Sequence, residues 1–346
     1  MKGKKILFKC ILAVLLSFCC ANLVAFFYNH DAKWMPRTGG ATKGVYAPGH
    51  FNFRSDEGFG YEFVDKNGYF NGSSELADDY ILVYGKSHTN ALEVLPGERY
   101  VDILNDRMAV DDKTKVYSVA RGDTSFADMI CGFKALIAEF PESSAVIMEI
   151  TYVGTDDEFT KAMEQRPFSA DDRASFLLAN QSPKQVFAGL IKEWFPLVAY
   201  FVNYQWPRLS IFDKNCFFQA ELNHHIPGHE ENIGNNNSYK SLNNALKLIR
   251  SEYDGRIIIL YHPDVFIDKN GAMRTTVDDG YDELTVYCKD NDIEVCDVTD
   301  AFIDQYAIDH SVPYGFANTS MGQGHLNKIG HRIIADKLYG YFEGNR

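Results

Sequence analysis

The sequence has no internal repeat, no acidic residue before Asp31, no closely paired cysteines beyond residue 20, and no excess of basic charge. Without a repeat, solenoid and propeller architectures are excluded. The later cysteines, Cys131, Cys216, Cys288 and Cys296, lack the paired close spacing of a zinc site. That leaves free buried thiols, or a Cys288–Cys296 disulfide in an oxidising compartment. The whole chain carries 34 Lys+Arg against 47 Asp+Glu; setting aside Lys2, Lys4, Lys5 and Lys9, the remainder has 30 against 47, a net charge of −17. Such a body does not bind nucleic acid or an anionic membrane surface non-specifically. Disorder is excluded as well, because 46% of the 346 residues are hydrophobic and suffice for a large core.

What is present begins with an uncharged run, Cys10–Tyr28, preceded by the four lysines. It is long enough to cross a bilayer as a helix. With lysines in front and none behind until Lys33, residues 1–9 are expected in the cytoplasm, 10–28 in the membrane as a signal anchor, and the remainder outside. A cleaved signal would end in a small-x-small site, which Phe18, Cys19 and Cys20 interrupt. A lipid-modified Cys19 or Cys20 fits poorly behind Phe18 or a second cysteine.

Residues 29–75, rich in Gly, Asn and Tyr with little periodicity, read as a stalk and irregular segment packed on the domain that follows, 76–346. From Ile81 a β/α alternation takes over. "ILVY", "KVYSVA", "SAVIMEIT", "RIIILYH" and "IEVCDVT" read as buried strands. Phe126, Met129, Ile130, Phe133, Ile137 and Phe140 mark a helix after the second, and Ile334, Leu338 and Phe342 mark the last helix. Continuous apolar strands separated by helices predict a mostly parallel central sheet covered on both faces, a three-layer α/β/α sandwich. A largely helical insertion interrupts it at about 156–250. Its uncharged run 194–207 is too short to span a membrane and reads as a cap helix or a lid.

The strand "ILVYG" ends in "KSHTN", which offers Ser87. A serine hydroxyl is a poor nucleophile until a base takes its proton. His88 is adjacent in sequence, and on an extended turn it is expected to point away from Ser87. His325 lies in a glycine-rich loop before the last helix, and loops at the carboxyl ends of parallel strands converge on one side. Ser87 and His325 are therefore expected to meet. A competing cluster, His224, His225, His229 and Glu230, places two histidines four apart, but Pro227 and Gly228 between them disfavour the helix such a metal site needs. No metal is expected.

Three blocks in order, "ILVYGKSHTNALEV", "VYSVARGDTSFADM" and "GHLNKIGHRIIADKL", resemble the SGNH/GDSL hydrolase superfamily of esterases, lipases, thioesterases and carbohydrate acetylesterases. The resemblance covers Ile81 to Tyr341. It implies a flavodoxin-like SGNH sheet, Ser87 as nucleophile, His325 as base, the N–H groups of Ser87 and Gly122 as oxyanion donors, a structural His331, and no cofactor. Two positions depart from the pattern. The family acid three residues before the histidine is Gly322 here, and the third block has Thr151, Tyr152 and Val153 where an asparagine donor would stand. Thr151 is the expected substitute donor, and Asn318, Thr319 or a backbone carbonyl the expected support for the imidazole. His88, His262 and Asn318 are expected around the pocket, and Lys86 as an exposed turn charge. Together with the anchor, the resemblance implies a membrane-anchored extracytoplasmic esterase or O-acyltransferase. Its expected substrate is an acylated carbohydrate or other ester, in particular an O-acetylated envelope or secreted polysaccharide. Trp194, Tyr200, Tyr204 and Trp206 are available for sugar stacking. The alternative is a catalytically weak binding or assembly protein.

Overall fold

The computed structural model describes residues 2–37, 39–72, 75–108, 113–122, 124–165, 191, 195–201, 239–276, 278–319 and 322–344. Two compact units result, Met1–His30 with Ala179–Asn237, and Asp31–Leu178 with Ser238–Arg346. In the first, helix α1 (Lys2–Tyr28) contains 26 residues, Gly3–Tyr28, that are long and apolar enough to cross a membrane. Only 6% of its most apolar window is buried in the protein, so the apolar surface is left for another environment. Of the expected stacking aromatics, Tyr200 ends the short helix α6 (Pro196–Tyr200) and meets Tyr28 edge-on at 5.6 Å; Trp194, Tyr204 and Trp206 lie outside the described residues. The 224–230 cluster and Cys216 lie outside them too.

The second unit is built on five parallel strands in the order β6 (Thr114–Ala120), β5 (Leu76–Gly85), β7 (Ala145–Ile150), β8 (Arg256–Tyr261), β11 (Glu294–Asp297). In chain order this is 2-1-3-4-5, the flavodoxin-like arrangement that the resemblance implied. Side chains alternate across it. Leu82, Tyr84, Val146, Met148, Ile257 and Ile259 pack on one side with α4 (Phe126–Glu139), α5 (Asp156–Glu164), α7 (Lys240–Glu252) and α8 (Tyr281–Asp290). Ile81, Val83, Ile147, Ile258 and Leu260 pack on the other with α3 (Tyr100–Met108), α9 (Thr299–Asp309) and α10 (Lys328–Glu343). The expected three layers are present. Cys288 and Cys296 fall on opposite sides of the sheet, and both are free thiols whose pKa burial pushes up to about 12.

The segment expected as a stalk is paired and fastened from Asp31 onward. It forms two antiparallel hairpins, β1 (Trp34–Pro36) with β2 (Gly44–Tyr46) and β3 (Phe51–Arg54) with β4 (Gly60–Phe63). Its far end is tied to β6 by Asn71, whose carboxamide accepts from Ser118 N at 2.7 Å and donates to Ser118 O at 2.9 Å. Arg99 Nη1 donates to Phe70 O at 2.7 Å. Two short strands, β9 (Val265–Ile267) and β10 (Met273–Thr275), form a further hairpin.

Candidate active site

Strand β5 stops on Gly85 because of what lies against it. A Cβ there would stand 2.7 Å from Thr89 Cβ and 2.9 Å from Glu149 Oε2, inside van der Waals contact. The chain then makes a single turn of helix, α2 (Ser87–Asn90), closed by Ala91 in the left-handed region at φ 48°. Glu149 on β7 organises this turn from below. It is fully buried and accepts from Lys86 N at 2.9 Å, Thr89 Oγ1 at 3.0 Å and His262 Nε2 at 2.8 Å. Burial would raise its pKa, yet the His262 hydrogen bond and the charges of His262, Lys86 and His88 hold the carboxyl well below the usual range. The network continues from His262 Nδ1 to the Tyr314 hydroxyl at 2.7 Å.

The loop that carries His325 is tied to the same network. Leu326 N donates to His88 Nδ1 at 3.2 Å, Gly315 N donates to His325 O at 3.0 Å, and Tyr314 bridges Leu326. Asn327 caps α10 by accepting from Ile329 N at 2.9 Å and Gly330 N at 3.3 Å, while its Nδ2 donates to Val312 O at 2.8 Å and Gly315 O at 3.0 Å. These bonds place His325 at the helix entrance.

An acid does face the imidazole, but it comes from the loop between β3 and β4. Glu57 Oε2 accepts from His325 N at 3.1 Å and is hydrogen-bonded to His325 Nδ1. Glu93 Oε1 lies 3.8 Å from the same Nδ1, and Arg54 Nη1 lies 3.4 Å from that oxygen. Burial by itself would lower the His325 pKa, but the Glu57 hydrogen bond and the Glu93 and Glu57 charges outweigh it and raise the pKa above the ordinary imidazole value. Glu57 is shifted the other way: burial raises its pKa, and the His325 bonds and charge carry it below the ordinary carboxylate value. Gly322, the position where the family acid would stand, has φ +81° and no side chain to offer. Gly324 (φ +84°) makes room for Glu57, since a Cβ there would stand 3.0 Å from Glu57 Cδ and closer still to Oε1.

Ser87, Gly122, Asn90 and Glu93 line one cavity of about 370 Å³, together with Arg54 and Asn52 from the inward face of β3. Gly122 adjoins Ser87 closely, its added Cβ lying 3.8 Å from Ser87 Cβ. His325 does not line the cavity; its Nδ1 lies 3.8 Å from Glu93, which does, and the expected Ser87–His325 hydrogen bond is not made among the described residues. With Nδ1 held by Glu57, Nε2 is the ring nitrogen of His325 that makes no hydrogen bond among the described residues.

Other expected positions lie elsewhere. Thr151 does not line the cavity among the described residues; its hydroxyl oxygen accepts from Lys86 Nζ. Lys86 is accordingly half-buried, with Nζ 5.3 Å from the Tyr152 ring centre, and is not the exposed turn charge expected. His262 is fully buried behind the site and does not line it, because Glu149 and Tyr314 hold both its ring nitrogens. His88 is buried with Nδ1 committed to Leu326, and burial drives its pKa well below the ordinary value. Asn318 does not support the imidazole; it clamps the Glu57 loop, donating to Ser55 O at 3.3 Å and Asp56 O at 3.4 Å and accepting from Gly58 N at 3.2 Å. His331 is a core residue that accepts from Tyr100 N at 3.4 Å, and burial lowers its pKa to about 3.

Glu57, Glu93, Asn90 and Glu149 were not among the residues expected from the sequence. Glu57, Glu93 and His325 offer three ligand-type atoms within 4.8 Å of one another, the one such group among the described residues. With His325 Nδ1 and Glu57 already bonded to each other, orientation of the imidazole accounts for the pair without a metal.

No family model matches the chain, and no curated protein matches it. Among solved structures it is similar to TesA at 11% identity and a TM-score of 0.37, over 77% of this chain and 99% of that one. It is also similar to an acetyl xylan esterase, AlAXEase, at 11% identity and 0.36, over 75% and 98%. A psychrotrophic esterase, EstA from Pseudoalteromonas sp., gives 12% and 0.36 over 77% and 97%. Identities and scores this low carry nothing about the site, which stands on its own geometry.

Proposed function

We propose that this chain is an SGNH-type serine esterase or O-acyltransferase. The observation that carries the reading is the Glu57 carboxylate on His325 Nδ1, beside a cavity that Ser87 lines. Ser87 Oγ adds to the ester carbonyl and passes its proton to His325 Nε2. The N–H groups of Ser87 and Gly122 receive the oxyanion. Collapse breaks the bond to the alcohol oxygen, which takes the proton from His325 and leaves an acyl-serine. Water or a sugar hydroxyl then adds, gives its proton to His325, and the acyl–Oγ bond breaks with return of that proton to Ser87. With water the products are an acid and an alcohol; with a sugar hydroxyl the product is a new ester.

The substrate we propose is an O-acylated, in particular O-acetylated, polysaccharide outside the cytoplasm. Trp34 and Tyr46 in the cavity wall supply aromatic surface for a sugar ring, and the lysine-flanked apolar α1 supports an exported, anchored domain. The alternative, a catalytically weak binding or assembly protein, rested on the missing acid at Gly322 and the missing asparagine of the third block; the Glu57 carboxylate on His325 speaks against the first of these reasons. A fluorophosphonate probe separates the two: labelling of the full chain that disappears in Ser87→Ala supports the enzyme, and absent or Ser87-independent labelling supports the binding protein.

A further inference from the structure

Asn90 sits three residues after Ser87 on the single turn of α2, which puts the two on one face with their Cβ atoms about 5–6 Å apart. Helical side chains lean toward the helix N-terminus, so Asn90 leans over the turn that carries Ser87. Both line the same cavity as Gly122. Asn90 is 3% exposed, and its carboxamide makes no hydrogen bond among the described residues. Its amide atoms are not among the buried side-chain atoms sealed from solvent without a partner, so they open onto the cavity, where a ligand atom can complete their hydrogen bonds. Thr151, where a further donor is expected from the third block, is bonded instead to Lys86 and does not line the cavity.

We propose that Asn90 is a catalytic residue whose Nδ2–H₂ donates to the carbonyl oxygen of the bound ester and to the oxyanion formed when Ser87 adds. The inference rests on the serine-esterase reading above. It supplies a side-chain donor beside the backbone N–H groups of Ser87 and Gly122, from the same turn that carries the nucleophile. Charge develops on that oxygen only in the transition state, so the contact acts on kcat and little on KM.

The test uses the full chain in detergent with p-nitrophenyl acetate, comparing wild type, Ser87→Ala, Asn90→Ala and the near-isosteric Asn90→Asp. Both Asn90 variants are expected to lose kcat by about 10²- to 10³-fold, with KM within about threefold of wild type. Their rate of fluorophosphonate labelling falls in parallel, since the phosphoryl oxygen takes the same donors. The Asp variant keeps the assay interpretable if the Ala variant is misfolded, because its shape is preserved while its donor is lost. A folded Asn90 variant with kcat within threefold of wild type, or a loss confined to KM, overturns the assignment. If Ser87→Ala is inert while the Asn90 variants are normal, only this inference falls; if Ser87→Ala keeps full turnover, the esterase reading itself falls.

Discussion

At the scale of single residues, the charge state of His325 decides whether Ser87 can lose its proton. The imidazole must be neutral to accept the Ser87 proton, and its pKa lies above the ordinary value of about 6.5. Activity is therefore fully present above that raised pKa and lost as pH falls through it. A pH profile of kcat/KM should show an acidic limb with its midpoint above about 6.5, and Glu93→Gln should move the midpoint down by removing one of the charges that raise it. A midpoint at or below 6.5, or one indifferent to Glu93, contradicts the electrostatics. Gly324→Ala is a second residue-scale test. Its φ of +84° and the closeness of Glu57 leave no room for a methyl group. The variant should lose about 1–3 kcal/mol of stability together with most of its turnover, measured by thermal unfolding and ester hydrolysis. Ser87, Gly122 and His325 could be singled out in the sequence because each sits in a local pattern. Glu57 could not, since its only relation to His325 is a contact across 268 residues.

At the scale of elements, β5, β7 and β8 were legible because their residues from Ile81, Ala145 and Ile257 onward are buried on both faces and read as nearly unbroken apolar runs, whereas edge strand β11 has only Cys296 fully buried. The β3–β4 hairpin was not legible because its pattern is inverted. Asn52 and Glu62 point inward and are buried, while Phe51 and Tyr61 on the outer face are 45% and 41% exposed. The alternation in FNFR and GYEF is present with its polar phase turned inward, Asn52 to the cavity and Glu62 to Arg99, so it reads with the wrong face buried. The α2 turn depends on β7 through Glu149, which holds Lys86 N and Thr89 Oγ1. Removing that buried carboxylate leaves three donors without their acceptor. Glu149→Ala should cost about 3–5 kcal/mol in chemical unfolding, and a loss under about 1 kcal/mol would show that the network does not hold the turn.

At the scale of the whole molecule, the proposed export of the domain rests on the lysines that precede the apolar α1. An alkaline phosphatase fused after Arg346 should be active in cells, and activity only of a cytoplasmic reporter at that position would reverse the orientation. The mechanism uses no metal, so exhaustive chelation should leave turnover unchanged. A chelator-sensitive enzyme would instead assign Glu57, Glu93 and His325 to an ion. The proposed acid and base join the beginning and the end of the domain, Glu57 on a hairpin that precedes the sheet and His325 on the loop that follows it. The most direct test is kcat/KM of Glu57→Gln in the folded full chain, which keeps the shape of the side chain and removes its charge. The account predicts a fall of about 10⁴-fold; activity within tenfold of wild type would contradict it.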